Sequence, residues 1–381
     1  MRLLLSAGEV SGDQHGAALL AALKERVGTL EVVGLGGDRC AAEGMRLLAH
    51  QKDLAIIGVV EALSKIRLAR RLLRQLTEAA TAGGVDAAVL IDSPDFHLPL
   101  ARRLANAGIP VVFYVSPQVW AWRSGRAKKL ARLGRGILTL FRFEKRWYDA
   151  RGLGKRVTWV GHPLVDEAER ELAVPASAPP SGRRRVVLMP GSRKGEIRKL
   201  LPLLRDAVAL LAARRSDFDV VLVRADSVSE ELLREAAGDA VSGWTIISGP
   251  HLSLLAASDV LVVASGTATV EGLLAGIPMV VVYRVATISY LLGKLLIRVP
   301  NVAMANILSD PGDGSQSVPE LIQGAATPVR VAAEVERFLS EPARAAAARR
   351  RLALGREELG PPGAPARTAE ALLALLGEGA A

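Results

Sequence analysis

A single cysteine, Cys40, is all the chain carries, so no internal disulfide forms and a disulfide-stapled fold is excluded. A reducing compartment fits that count. Aromatic residues are only 4% of the sequence, and no nucleic-acid-binding module is recognisable, which argues against a surface built on base stacking. A membrane-spanning helix needs about 18 uninterrupted apolar residues. The nearest candidate, around Val260–Val285, follows Asp259 and is broken by Glu271 and several glycines. The opening MRLLLSAGEVSGD has too short an apolar run before its polar and acidic residues for a signal peptide, and reads as a first strand. Clustered His/Cys ligand spacing is missing, so no metal is expected. The one Asp-x-Asp, Asp217–Phe218–Asp219, directly precedes a strand and reads as a turn cap. There is no G-x-S-x-G elbow for a nucleophilic serine, and Cys40 has no obvious catalytic partner.

What the chain does have is positive charge, +10 over 381 residues. That balance favours anionic partners: a phospholipid surface or phosphorylated substrates ahead of nucleic acid. The length suits roughly two domains of about 150 residues each. Short Val/Ile/Leu-rich runs alternate with helical patterns. Strands are predicted near Leu3–Leu5, Val32–Gly34, Ala87–Ile91, Val111–Val115, Ile137–Leu140 and Thr158–Val160, with Ala/Leu/Arg helices between them. Val174–Gly182 then carries the proline- and serine-rich run PASAPPSG. The pattern restarts with strands near Val186–Met189, Val220–Arg224, Thr245–Ile247, Val260–Val263 and Met279–Tyr283. Each half opens with a strand, a glycine-containing loop and a helix, LLLSAGEVSGDQHGA and VVLMPGSRKGEIRKLLP. This predicts an α/β chain of two doubly wound, Rossmann-like domains, 1–173 and 183–344, with ligands at the carboxyl ends of their strands in a cleft. The Ala/Arg/Glu/Leu tail, about 345–381, is helical in composition and ends on RTAEALLALL.

Four loops hold residue types suited to chemistry. In ASGTATVEGLLAGIPMVVVYR, Ser265, Gly266 and Thr267 turn the chain into a helix whose first amides suit a phosphate. Glu271, about one turn in, is placed to accept bonds from ribose hydroxyls or simply to favour the helix dipole. In PGSRKGE, Gly191 allows close backbone approach, Ser192 follows, and Arg193 is suited to gripping a diphosphate in a bidentate way. A solvated basic turn would look the same, and the loop lacks the Gly-Lys-Ser/Thr ending of a Walker motif. In IDSPDFH, Asp92 falls at the carboxyl tip of a strand, where a carboxylate accepts a proton from an attacking hydroxyl or makes an Asx turn before Pro94. Asp95 follows it. In GEVSGDQHG, Glu9, Ser11 and Asp13 either contact sugar hydroxyls or cap the first helix. His15 and His97 fit structural and catalytic roles equally.

SPQVWAWRSGRAKKLARLGR sets two of the five tryptophans, Trp120 and Trp122, beside six basic residues beginning with Arg123. Val59–Leu76 mixes Leu63, Ile66, Leu72 and Leu73 with Arg67, Arg70 and Arg71 in the manner of a basic amphipathic helix. Such a helix lies on an anionic bilayer or packs on a sheet with its basic face in water. Tryptophan favours the bilayer interface, which adds weight to the lipid reading.

SAGEVSGDQHGA, GGDRC, GVVEAL, IDSPDFH, YVSPQVWAWR, FEKRWY, GHPLVD, MPGSRKGEI, SGTATVEGLLAGIPMVVVYR, VPN and VPELIQ stand in an order that resembles the lipid A disaccharide synthases. These are inverting glycosyltransferases of the two-Rossmann-domain (GT-B) type, and the resemblance spans nearly the whole chain. It implies transfer of the sugar of UDP-2,3-diacylglucosamine to 2,3-diacylglucosamine 1-phosphate, giving a β(1→6) disaccharide phosphate and UDP. The work is done at the cytoplasmic face of the membrane, peripherally, without cofactor or nucleic acid, by a monomer or a dimer. It further implies Asp92 as base, Glu9 as the first-loop acid, Arg193, Glu271 and Asn301 on the donor side, and tail helices that return to the first domain. The chain departs from the family in having Arg142–Phe143–Glu144 where Pro-Phe-Glu is usual, and in an apparent insertion, SDPGDGSQS, between Asn301 and Val318. Two other readings stay open. One is another UDP-hexosamine enzyme of this architecture, a peptidoglycan-precursor transferase or a UDP-N-acetylglucosamine epimerase. The other is a non-catalytic nucleotide-sugar-binding membrane module.

Overall fold

Strands that are apolar at every position, such as the AAVLI of Ala87–Ile91, are stable only in a sheet covered on both faces. The computed structural model, which describes residues 1–55, 62–174, 176, 183–284, 299–310 and 312–377, contains two such sheets. The first runs through β1 (Arg2–Ala7), β2 (Glu31–Gly36), β3 (Arg46–His50), β4 (Ala87–Ile91), β5 (Val111–Tyr114), β6 (Gly136–Thr139) and β7 (Val157–Trp159). Its order is β3-β2-β1-β4-β5-β6-β7, all parallel. The second is built from β8 (Arg184–Met189), β9 (Phe218–Val223), β10 (Thr245–Ile247), β11 (Val260–Ala264), β12 (Met279–Tyr283) and β13 (Glu320–Ile322). Its order, β10-β9-β8-β11-β12-β13, repeats the same winding and is again parallel throughout.

The chain divides into two compact units, one made of Met1–Pro163 with the chain from Leu359 onward, the other of Leu164–Glu358. The helix Leu164–Leu172 thus belongs with the second unit, where it packs on the helices Leu252–Ala256 and Ala268–Leu274. So does Pro342–Arg356, which lies on Ala268–Leu274 and Met304–Leu308. The last helix, Ala364–Gly377, covers Val10–Lys24 and β6 of the first unit. Most of the PASAPPSG run, residues 175 and 177–182, lies outside the described residues.

In the first unit the two faces of the sheet sort side chains by alternation. Leu3, Leu5, Val89 and Ile91 face the helices Val10–Lys24 and Ala364–Gly377. Leu4, Ala88 and Leu90 face the helices Ala62–Ala82 and Pro94–Asn106. Each fully buried leucine contributes roughly 1.5–3 kcal/mol. This packing corrects part of the lipid reading. Leu72 and Leu73 of the Ala62–Ala82 helix are only 4% and 7% exposed, and Leu73 packs in the cluster on the sheet's second face, which an isolated basic amphipathic helix would leave bare. Ile66, at 49% exposure, and Arg67, Arg70 and Arg71 remain at the surface. Residues 59–61 and the side chain of Leu63 lie outside the described residues. Among the described residues no helix is long and apolar enough to cross a membrane.

The described residues flanking and within SDPGDGSQS are tied together and to Arg351. Asn306 Oδ1 accepts from the amides of Ser317 and Val318, Ser309 donates to the Ser317 hydroxyl at 2.8 Å, and Arg351 donates to the Gln316 carbonyl at 2.9 Å.

Candidate active site

In a sheet ordered outward from β1, the chain leaves β1 and β4 toward opposite faces. A crevice opens between their carboxyl ends, the place where doubly wound folds bind ligands. Here those ends carry Glu9 and Asp92. The backbone is strained at this spot. Asp92, Ser93 and Val115 have φ of 52°, 42° and 58°, in the left-handed region that costs an L-residue roughly 1–2 kcal/mol. Three of the five positive-φ non-glycine residues described therefore lie at the ends of the neighbouring strands β4 and β5. Strain of this kind gathers where geometry serves chemistry. The Asp92 amide donates to the Tyr114 carbonyl at 3.2 Å, extending the ladder by one residue. Burial pushes the Asp92 carboxyl up to about 6, and the negative charge of Glu9 adds to the shift. That places it where an ionised carboxylate is still abundant at neutral pH and is more basic than a free one.

The other first-unit residues behave differently. Glu9 is exposed, at the residue before the Val10–Lys24 helix, and Ser11 is half-buried. Asp13 is 2% exposed, and its two oxygens accept from the amides of Gly37 (2.7 Å), Cys40 (3.1 Å) and Arg39 (3.1 Å). This corrects its reading as a sugar-contacting residue: the carboxylate caps the short helix Asp38–Ala42 from across the fold. Asp95 is exposed and paired with Arg126 at 2.5 Å and Arg123 at 3.5 Å. Trp120 is half-buried, its indole N–H donating to Glu144 at 3.2 Å and its ring meeting Phe143 edge-on. Its polar edge is thus committed inward. Trp122 lies under the guanidinium of Arg123, 4.7 Å away.

Glu144 and His162 were not singled out by sequence, whereas His15 and His97 were. Glu144 accepts from the Phe141 amide at 3.3 Å, and burial pushes its carboxyl up to about 8 against the N–H donors that favour its ionised form. The F-x-x-E spacing hinted at the cap but not at the burial. His15 and His162 are buried with ring centroids 5.4 Å apart, both held neutral by burial. His97 is fully buried between Ser6 and Asp92.

The second unit has the same change of strand order between β8 and β11. Gly191 (φ 109°) turns the chain so tightly that a Cβ would meet the Glu196 carboxylate at 2.4 Å. Glu196, three residues into the helix, reaches back over this turn. Its Oε2 accepts loosely from the amides of Ser192 (3.3 Å) and Arg193 (3.4 Å), and its Oε1 pairs with Arg193 Nη1 at 3.0 Å. The Arg193 side chain is 68% exposed. Ser265 is half-buried, and Gly266 and Thr267 are exposed. The helix they open, Ala268–Leu274, is short, and its amides at Thr269 and Val270 bond the carbonyls of Gly266 and Thr267. Glu271 is bonded to His251 Nε2 at 3.2 Å. Burial disfavours the imidazolium of His251, but the bond and charge of Glu271, the Gly249 carbonyl and Glu171 outweigh it and lift it to about 9. Glu171 in turn accepts from the amides of His251 (2.9 Å) and Leu252 (2.8 Å). An imidazole bonded to Glu271, with Glu171 holding the backbone at its own position, left no local trace in the sequence. Asn301 is 1% exposed, and its Nδ2 has no hydrogen-bond partner among the described residues.

Among the described residues no group of three His, Cys, Asp or Glu is placed to hold a metal ion. Residues 3–363 match the family model described as Lipid-A-disaccharide synthetase. A lipid-A-disaccharide synthase of Myxococcus xanthus (strain DK1622) is 40% identical over 388 residues, covering 99% of this chain and 98% of the relative. That of Syntrophus aciditrophicus (strain SB) is 38% identical over 379 residues, covering 98% and 97%. A crystal structure of UDP-GlcNAc 2-epimerase from Neisseria meningitidis, bound to UDP-GlcNAc, is similar with a TM-score of 0.66 over 98% of this chain and 100% of that one. At 12% identity that likeness speaks for the fold alone.

Proposed function

The chain belongs to the lipid-A-disaccharide synthase family, a family of glycosyltransferases, and on that premise we propose how its own residues carry the transfer. The donor is UDP-2,3-diacylglucosamine and the acceptor 2,3-diacylglucosamine 1-phosphate. The acceptor 6-hydroxyl attacks the anomeric carbon on the face opposite UDP while Asp92 takes its proton. The bond from the anomeric carbon to the β-phosphate oxygen breaks, and its electron pair leaves with UDP. One displacement inverts the centre and yields the β(1→6) linkage. Glu9, through its charge, keeps Asp92 basic. Arg193 and the amides around Ser192 meet the charge developing on the leaving diphosphate. Glu271, bonded to His251, accepts from the ribose hydroxyls, and Ser11, Gly191, Ser265, Gly266, Thr267 and Asn301 line the two substrates. The observation that carries this reading is Asp92: a carboxyl at a strand tip, on strained backbone, with its proton affinity raised toward neutrality.

A single assay tests it. Purified protein given both substrates is expected to form the disaccharide 1-phosphate by mass spectrometry, equally with and without chelator. A new hexosamine formed from UDP-sugar without acceptor, or UDP binding without transfer, overturns it.

The reading extends to place. The protein works peripherally on the inner face of the cytoplasmic membrane, where Ile66, Arg67, Arg70 and Arg71, with Trp122 and Arg123, meet anionic lipid. Basic residues at such a surface contribute about 1 kcal/mol each. Reversing Arg70, Arg71 and Arg74 to Glu is therefore expected to lower co-sedimentation with phosphatidylglycerol vesicles at low salt by at least about tenfold. Binding equal to the parent's removes this helix from the interface.

A further inference from the structure

His97 sits in the first turn of the Pro94–Asn106 helix with both ring nitrogens engaged. Nδ1 lies 2.7 Å from the Asp92 carbonyl oxygen, and Nε2 lies 2.8 Å from Ser6 Oγ. A carbonyl oxygen only accepts, so Nδ1 carries the proton. Nε2 then presents its lone pair, and the Ser6 hydroxyl donates to it. The tautomer and the direction of both bonds are fixed by the carbonyl.

Ser6 is fully buried in β1, in register with Leu90 of β4, the strand that delivers Asp92. A side-chain path therefore ties β1 to the turn after β4 across the switch point. The carbonyl it holds belongs to a residue with φ 52°, followed by Ser93 with φ 42°. The Asp92 amide is bonded to Tyr114 on the neighbouring strand, so the turn is pinned both before and after its Cα. Packing alone does not call for this pair. An apolar side chain fills such a site without burying a hydroxyl and an imidazole that must then find each other.

We propose that His97 and Ser6 are positioning residues that hold Asp92 in its left-handed conformation, and so hold its carboxylate against the acceptor hydroxyl. This rests on the assignment of Asp92 as base. Neither residue touches substrate; both act through the Asp92 backbone.

The test compares His97→Leu, His97→Asn, Ser6→Ala and Asp92→Asn in the full chain at saturating substrates. Misplacing a reacting group by about 1 Å costs up to about 10²-fold in rate, so His97→Leu is expected to lower kcat by about 30-fold or more with KM for the UDP-sugar within about threefold. The acidic limb of its pH–rate profile is expected to move down as the freed carboxylate turns toward water, a change that loss of packing alone does not produce. His97→Asn keeps an N–H for the carbonyl and is expected to recover most of the loss. Adding His97→Leu to Asp92→Asn is expected to lower turnover no further. The clamp is overturned if Asp92→Asn collapses turnover while His97→Leu keeps the parent's kcat, or if the two losses multiply. If Asp92→Asn turns over like the parent, the base assignment itself fails and the clamp goes with it. Should His97→Leu not fold, Ser6→Ala decides: a kcat equal to the parent's, with an unmoved acidic limb, overturns the proposal.

Discussion

Asp92→Asn is expected to lower turnover of the purified chain by about 10²–10⁴-fold, the usual contribution of a general base. The asparagine keeps the shape of the side chain and the backbone's left-handed turn, since Asn tolerates that conformation as Asp does. What it removes is the proton acceptor. In the parent, the acidic limb of kcat/KM is expected near the raised value of about 6, because only the ionised form accepts a proton. Stability runs the other way. A carboxyl whose folded-state pKa is raised is favoured by the fold in its neutral form. Its contribution is fully present below the unfolded value near 4 and is lost as pH rises through about 6. At pH 8 the ionised carboxylate costs the fold on the order of 1–3 kcal/mol, so the neutral variant is expected to melt above the parent at pH 8 and not at pH 4. Calorimetry at the two pH values reads this directly. A variant that lost activity by misfolding would melt below the parent at both. Turnover within about threefold of the parent takes Asp92 out of the chemistry.

How much of this could be read from the chain beforehand depends on how local each signal was. The central strands were legible because burial on both faces demands unbroken Val, Ile and Leu. The edge strands β3 and β13 were not: RLLAH and ELI pair on one side only and carry too few β-branched residues to stand out. Asp92 was legible because a strand, an acid and a proline in succession fix a tip. The partners of His97 were not, because Ser6 is 91 residues away and comes into reach only when β1 and β4 pair. Asp13 misled for the same reason: the amides it caps begin 24 residues later. His251 and Glu271 stand 20 residues apart, beyond any helical or strand spacing. In the Ala62–Ala82 helix the period showed an apolar face, but no sequence says whether a sheet or a bilayer covers it.

Arg193 is where the second large effect is expected. Arg193→Ala should lower kcat/KM for the UDP-sugar by about 10²–10³-fold, the range seen when a donor to developing negative charge is deleted. The guanidinium is paired with Glu196 at 3.0 Å, but the pair is an exposed i,i+3 contact with the arginine 68% accessible. Such pairs contribute only about 0–1 kcal/mol, so a diphosphate carrying more charge outcompetes the carboxylate. The same carboxylate is held loosely by the amides of Ser192 and Arg193, at 3.3 and 3.4 Å, and these too become donors to phosphate once it moves aside. Arg193→Lys keeps the charge but not the planar fork, and is expected to fall between the parent and the alanine variant. Calorimetric titration with UDP separates binding from catalysis. A loss confined to kcat assigns Arg193 to the departing charge alone, whereas a matching loss of UDP affinity means the ground-state diphosphate is gripped as well. If Arg193→Ala keeps both UDP affinity and kcat/KM within about threefold of the parent, the leaving group's charge is met by other donors and this turn is only a capped helix start.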